Sequence, residues 1–396
     1  MNNNNQFDCC IVGGGMVGAA LAVGLAKQNK SVVLLEQHDL HTFDFSQPPD
    51  LRMSAFNMHS VKLLQELGAW SFLEKMRLRP YSKLSVWDGA PFISGNDLNY
   101  TSFDASEVNE SILGYFIENR LVQLALHEVL TKHYSEQVAL VYGQNVQNID
   151  CIEGKVELEN GNVYSAPVVF GADGAQSKVR QSAGISTSGW QYSQHANGIL
   201  IETEEPVAGE TWQAFYPSGP RALLPMFDNF SCLIWYDSLE QTNWITKANN
   251  DDLKASIITH FPNKLADFNI VSKANFGLTR MHAKKYGQHK AIILGDAAHT
   301  INPLAGQGVN IGFKDVACLI ELIQDQGLQN LSALVRAYEK QRYHQNLLMM
   351  STMDALYFTF SSNALPLKAI RDIGLTLAQR AGVVKQQALK YAMGLS

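Results

Sequence analysis

The chain has 396 residues, 46% of them hydrophobic and 17% charged, with a formal net charge of −6. That length suits one large domain or a few coupled ones around a sizeable core, and an acidic balance with a pI near 6.0 gives no reason to expect nucleic acid. Five cysteines, an odd number with no Cys-x-x-Cys pair, indicate neither a disulfide framework nor a zinc cluster; a reducing cytoplasm fits them best. The uncharged run over residues 9–26 approaches the length of a membrane span. Five glycines interrupt it and no basic segment precedes it, so neither a span nor a signal peptide is expected.

Residues 7–12 predict a strand, 16–28 a helix and 31–36 a second strand. Between the first two lies Gly13-x-Gly15-x-x-Gly18. One glycine makes the turn, one lets backbone approach a pyrophosphate, and one lets helix and strand pack closely. Glu36 ends the second strand, where a carboxylate can take ribose hydroxyls. A lone motif of this kind is weak, but in this setting it predicts a dinucleotide site over a plain Gly-rich helix start. Residues 38–50 read as loop and 51–68 as helix, with Arg52 near its start. Arg52 is either a phosphate or cofactor ligand or an ordinary exposed arginine, and the sequence favours neither.

Residues 80–103, rich in aromatics and turn formers, mark a departure from the first domain. Residues 114–130 predict a helix carrying Asn119, Arg120 and Gln123. Short strands follow over 138–142, 149–158 and 163–165, with Glu159-Asn160-Gly161 as a hairpin turn. Another strand, 167–170, runs into Gly171-Ala172-Asp173-Gly174, then Ser177, Val179 and Arg180; an Asp-Gly turn is the plainer reading there. Alternating Thr, aromatic and apolar residues over 190–274 predict an antiparallel sheet, a suitable floor for an aromatic substrate, although core packing accounts for most of those aromatics equally well.

Residues 291–294 predict a buried strand, and Asp296 places a carboxylate at its end. Pro303, Gly306, Gln307 and Gly308 make an uncrowded loop, and helix follows from Val309. Such a unit suits a large polar cofactor. The carboxylate can hold a sugar-alcohol hydroxyl, the loop backbone can approach a flat ring, and the helix start offers N–H groups to an anion. The rest of the chain reads as helix. In residues 364–396, Lys368, Arg371, Arg380, Lys385 and Lys390 stand against Asp372 alone. That basic amphipathic tail either lies on an anionic membrane surface or packs on the body with a solvated basic face. The histidine pairs 38/41 and 127/133 lack acidic or cysteine partners at ligand spacing, so no metal is expected. His299 reads as a packing or loop-orienting residue rather than a general base, and no carboxylate pair stands out as acid and base. Any chemistry belongs to a cofactor.

Three stretches combine: the glycine turn with Glu36, Gly171-Ala172-Asp173-Gly174 with Arg180, and Gly295-Asp296-Ala297-Ala298-His299 with Pro303 and residues 305–310. In this order and separation they resemble the single-component FAD-dependent aromatic hydroxylases of the para-hydroxybenzoate hydroxylase fold. Asp50-x-Arg52, Glu118-Asn119-Arg120 and the helical tail are similar to the ubiquinone-biosynthesis hydroxylases of that fold, and the resemblance covers essentially the whole chain. It implies an α/β fold with an α+β substrate part. A discontinuous Rossmann-like FAD-binding domain (1–80, 110–182 and 275–340) would carry an inserted antiparallel-sheet substrate domain (81–109 and 183–274), followed by a C-terminal helical region (341–396).

By the same resemblance, Gly13, Gly15, Gly18 and Glu36 would bind the ADP half of FAD, and Arg52 and Arg120 would contact the flavin or its phosphates. Asp173 would lie in a stretch serving both FAD and the reductant, and Asp296 would hold the ribityl chain. Ala305, Val309 and Asn310 would sit at the isoalloxazine with the catalytic group Pro303, Gly306, Gln307 and Gly308. The implied reaction uses NADPH or NADH as a transient reductant and dioxygen, through a C4a-hydroperoxyflavin, to hydroxylate a polyprenyl benzoquinol in ubiquinone biosynthesis. The implied surroundings are the cytoplasm and the inner face of its membrane, with other ubiquinone-biosynthesis proteins or a second copy as partners. Two alternatives stay open: a sibling hydroxylase of another ring position or a soluble phenol, and a flavin-bound scaffold subunit with little turnover.

Overall fold

The structure, a computed structural model, describes residues 5–40, 42–91, 99–302, 308–362 and 364–394. The apolar runs Cys9–Val12 and Val32–Leu35 are buried at every position, as strands covered on both faces must be. They are central in a six-stranded sheet ordered Gly287–Gln288, Ala291–Ile293, Val168–Gly171, Cys9–Val12, Val32–Leu35, Val138–Val141. All of its pairings are parallel except the hairpin at the Gly287–Gln288 edge. Helix Met16–Lys27, built from Gly, Ala, Val and Leu, is buried from Gly18 to Ala26. Helix Gly308–Gln326 crosses it so closely that a Cβ on Gly24 would lie 2.1 Å from Ile320 Cδ1, and one on Gly312 3.0 Å from Val17 Cγ2. The two helices therefore approach through glycine.

An eight-stranded sheet runs His299–Thr300, Phe268–Ala283, Thr187–Thr203, Phe230–Ser238, Arg221–Pro225, Glu210–Phe215, Lys83–Asp88, Tyr100–Asp104. Only the pairing of Glu210–Phe215 with Lys83–Asp88 is parallel. Two helices interrupt the stretch that the sequence reads as all strand: Leu239–Lys247, capped by Ser238, and Asn250–His260, capped by Asn249. Ile245, Leu253 and Ile257 from these helices pack with Leu233 and Trp235 of the sheet. Helix Leu331–Ser361 contributes Met353, Tyr357 and Phe360 to a second cluster with Tyr192, Phe215 and Tyr236. Many of the alternating aromatics are thus core.

The helices predicted over 51–68 and 114–130 each begin later than expected. Strand Met53–Asn57 pairs antiparallel with strand Gly114–Glu118, and helices Met58–Glu66 and Asn119–His133 start where the strands end. A pairing between distant segments overrides the local helical pattern. The tail forms helices Leu365–Arg380 and Val383–Met393. The first lies along edge strand Tyr100–Asp104, where Thr101 Oγ1 donates to Leu375 O at 2.6 Å and Ser102 N to Gln379 Oε1 at 2.9 Å. The second returns to Asn57, whose Nδ2 donates to Ala392 O at 3.0 Å. Among the described residues no helix is long and apolar enough to cross a membrane.

Candidate active site

The first turn is held by contacts a glycine alone permits. Gly13 has φ +102°, and a Cβ there would sit 2.4 Å from Ala172 O; one on Gly18 would sit 1.9 Å from Gly13 O. Gly15 differs, since an added Cβ meets nothing within 4 Å. Its bareness serves space outside the protein. Helix Met16–Lys27 starts there with no side-chain cap and no acidic residue in its first turn, leaving N–H groups and a partial positive charge facing that space. Glu36 accepts from Gly14 N at 2.9 Å and from His38 N at 3.0 Å. Each bond uses one lone pair, so each carboxylate oxygen keeps another.

Helix Asn119–His133 grips the turn from behind. Gln123 Nε2 donates to Gly14 O at 2.9 Å, and His127 Nε2 reaches the same carbonyl at 2.7 Å. A carbonyl only accepts, so Nε2 carries the proton and Nδ1 accepts from Tyr142 OH at 2.7 Å. Burial lowers the His127 pKa, only partly opposed by the Gly14 carbonyl, which keeps the ring neutral.

The second and third motifs meet the first at the C-terminal ends of the parallel strands, where open α/β sheets bind ligands. Asp173 Oδ2 accepts from Lys178 N at 2.7 Å and Val179 N at 3.2 Å. Its Oδ1 is buried without a partner among the described residues, and burial raises the carboxyl pKa. Arg180 donates to Ala297 O at 2.9 Å and to Ala175 O at 2.8 Å, clamping one turn to the other. Gly295 has φ +58°, and a Cβ there would lie 3.2 Å from Val17 Cγ1.

Asp296 is exposed, and its carboxylate has no hydrogen-bond partner among the described residues. Protein crowded around its inner side raises its pKa, with His299 opposing. Beneath it lies a network that the sequence reading missed. Asp315 is fully buried. One of its oxygens meets Gly295 N at 3.1 Å and His299 Nε2, and the other meets Arg342 Nε at 2.8 Å and Asn346 Nδ2 at 3.1 Å. Burial alone would raise this carboxyl; His299 and Arg342 outweigh it and hold it well below the usual carboxylate range. His299 thus orients the turn, as its position predicts. It also opens strand His299–Thr300 opposite Met281 and His282, so the Asp296 turn sits where the chain passes between the two sheets. The readable signal was a carboxylate among the buried positions Ile311, Val316 and Leu319 of one helix.

Arg52 lies just before strand Met53–Asn57, not at a helix start. Its guanidinium makes no ion pair among the described residues and stands 5.7 Å from the centre of the Phe276 ring. Both residues line a cleft of about 590 Å³ with Asp50, Leu51, Ala274 and Asn275. Arg120 is 3.3 Å from Glu118, a buried carboxylate that also takes Arg77 at 3.5 Å and Asp50 N at 2.7 Å. Gly308 and Val309 begin helix Gly308–Gln326. The Asn310 side chain ties that helix to its neighbours, donating to Ala55 O at 2.8 Å and accepting from Asn57 N at 3.1 Å and Ser60 Oγ at 2.7 Å. Pro303, Ala305, Gly306 and Gln307 lie outside the described residues.

Three strand-end turns, two of them leading into helix starts of low local charge, make a site for a long polar cofactor. A family model described as FAD binding domain matches residues 6–347. The chain belongs to that family: it is an FAD-dependent monooxygenase with NAD(P)H as reductant. Within the family it groups with the ubiquinone-biosynthesis hydroxylases. It is similar to 3-demethoxyubiquinol 3-hydroxylase of Escherichia coli K12, with 40% identity over 99% of this chain and 100% of that protein. It is also similar to ubiquinone hydroxylase UbiL of Rhodospirillum rubrum, with 32% identity over 98% of this chain and 89% of that protein. The solved p-nitrophenol 4-monooxygenase of Pseudomonas putida shares the fold, with a TM-score of 0.80 and 18% identity over 98% of each chain.

Proposed function

We propose that this enzyme hydroxylates the ring of 2-polyprenyl-3-methyl-6-methoxy-1,4-benzoquinol, a step of ubiquinone biosynthesis. The similarity to the Escherichia coli 3-demethoxyubiquinol 3-hydroxylase along the full length of both proteins carries this reading. We divide the chain accordingly into an FAD-binding part (1–80, 110–182, 275–340), a substrate part (81–109, 183–274) and a helical end (341–396).

The residues present suit FAD. Gly15 leaves room for a pyrophosphate against the helix start, Glu36 keeps lone pairs for ribose hydroxyls, and Asp296 has a carboxylate that makes no hydrogen bond among the described residues and could take the ribityl chain. Gly13 and Gly18 act by shaping the turn. Asp173 would serve through its Oδ1, which has no partner among the described residues, and Arg52 through its guanidinium beside Phe276 at the cleft. Arg120 is held by Glu118 and would contribute positive potential. Asn310 fixes the helix that begins at Gly308 and Val309, whose first backbone N–H groups would be offered to the cofactor. FAD held by these residues would supply the redox chemistry, hydride acceptance from NAD(P)H and activation of dioxygen. A quinol ring is electron-rich through its own hydroxyls, so the protein's share is to position the ring and exclude water. This fits a site whose carboxylates are built for holding.

The test is mass spectrometry of the quinone pool in cells lacking the gene, complemented with wild type or Gly15→Val. The reading expects the demethoxy precursor to accumulate and only wild type to clear it. An earlier intermediate would move the assignment to a sibling ring position. Rescue by a variant shown to lack FAD would favour a scaffold role, and an unchanged pool would point to a soluble phenol.

A further inference from the structure

Helix Leu365–Arg380 is amphipathic in the reverse sense of a helix docked on a protein body. Its inward side is mostly polar, with Leu375 packed against the cluster of Tyr192, Phe215 and Phe360. Arg371 and Asp372 are each 3% exposed; Arg371 pairs with Asp88 at 2.8 Å and donates to Thr359 O at 3.0 Å and Ser362 O at 2.7 Å. Gln379 accepts from the edge strand. Its outward side is aliphatic, with Leu365 63%, Ile370 60%, Ile373 55% and Leu377 62% exposed. The next helix opens on Val383 and Val384, both 67% exposed. A surface helix ordinarily turns its apolar stripe to the core, and a contiguous exposed apolar patch marks an interaction site.

The charges around the patch indicate the partner. Lys385 is buried against Glu107 at 2.9 Å and is not available outside. Arg380 and Lys390 are exposed and Lys368 is half-buried. The one acidic residue of 364–394, Asp372, is buried. The outer side of the tail therefore offers aliphatic side chains with a cationic rim and no exposed carboxylate. Anionic lipid matches this pattern, since aliphatic side chains enter the acyl boundary while cations meet headgroup phosphates. A second copy of the same face would set cations against cations. We infer that the outer face of Leu365–Arg380, with Val383 and Val384, docks on an anionic bilayer surface. The helix then lies along that surface and its polar side remains fixed to the enzyme. The inference does not depend on which quinol is hydroxylated.

The test is flotation of the full-length, FAD-loaded protein with vesicles of phosphatidylcholine alone or mixed with phosphatidylglycerol. The expected result is binding to the mixed vesicles only, weakening as salt rises. Ile373→Asp/Leu377→Asp and Lys368→Glu/Arg380→Glu, with unchanged FAD content, should each lower the partition coefficient about tenfold or more. Wild type that binds neither vesicle, or binding unchanged in both variants, overturns the inference. So does a size-exclusion shift from dimer to monomer in the aliphatic variant without vesicle binding by wild type, which would make a second copy the occupant.

Discussion

The Gly13–Gly18 turn and the Gly295–Asp296 turn do the same task by opposite means. In the first, the carboxylate at the strand end secures the turn itself, since Glu36 accepts from Gly14 N, and glycines supply the close approaches. In the second, the strand-end carboxylate of Asp296 makes no hydrogen bond among the described residues, and a different one, Asp315, holds the turn from below through Gly295 N, His299 and Arg342. In the first, the carboxylate and the glycines belong to one strand–turn–helix–strand unit, and helix Asn119–His133 adds Gln123 and His127 from behind. The second is a tertiary device, assembled from two helices and a strand. Separating the group that supports a turn from the group that faces the ligand frees Asp296 for binding.

Substitutions can break that contrast. Asp315→Ala leaves Arg342 buried and unpaired and should destabilise the protein by about 3–5 kcal/mol, read by denaturant unfolding; a loss no larger than that of Asp296→Ala would collapse the distinction. Gly18→Val drives a side chain into the Gly13 carbonyl and should cost about 3 kcal/mol or more. Gly15→Val should leave unfolding of the apoprotein within about 0.5 kcal/mol yet abolish FAD retention. Equal destabilisation by both would mean that Gly15 also serves the fold.

The buried network should also set an acid limit. Burial, with His299 and Arg280, lowers the His282 pKa from 6.5 to about 4. A folded pKa below the unfolded one means that stability is complete above pH 6.5 and is lost as pH falls toward about 4, by up to about 3 kcal/mol. Asp315, also depressed, adds a further loss below about pH 4 as the unfolded carboxyl protonates. His282→Gln should flatten the first phase in unfolding measured across that range, and an unchanged profile would remove His282 from the account. The smallest effect belongs to Asp296→Asn, which should weaken FAD binding about tenfold with no change in apoprotein melting.

The same division explains what the sequence reveals. The apolar runs of the parallel sheet, the glycine spacing and Glu36 are legible because each answers to residues within one short unit. Strands Met53–Asn57 and Gly114–Glu118 are not, because they exist only by pairing with each other. Helices Leu239–Lys247 and Asn250–His260 were readable from their caps, Ser238 and Asn249, and were obscured by aromatic neighbours of strand type. Asp315 could be suspected from its apolar surroundings, but its partner Arg342 lies on another helix and no spacing links them. The cationic tail was legible in sequence; that Arg371 and Lys385 face inward while the aliphatic side chains face out was not.

Incubation of the purified protein with FAD, NAD(P)H and a short-chain analogue of the demethoxy quinol under isotopically heavy dioxygen tests the central claim most directly. The account predicts NAD(P)H oxidation stimulated by the quinol and a hydroxylated ring carrying one heavy oxygen atom. Reductant consumed without labelled product, or a product whose new oxygen comes from water, would contradict it.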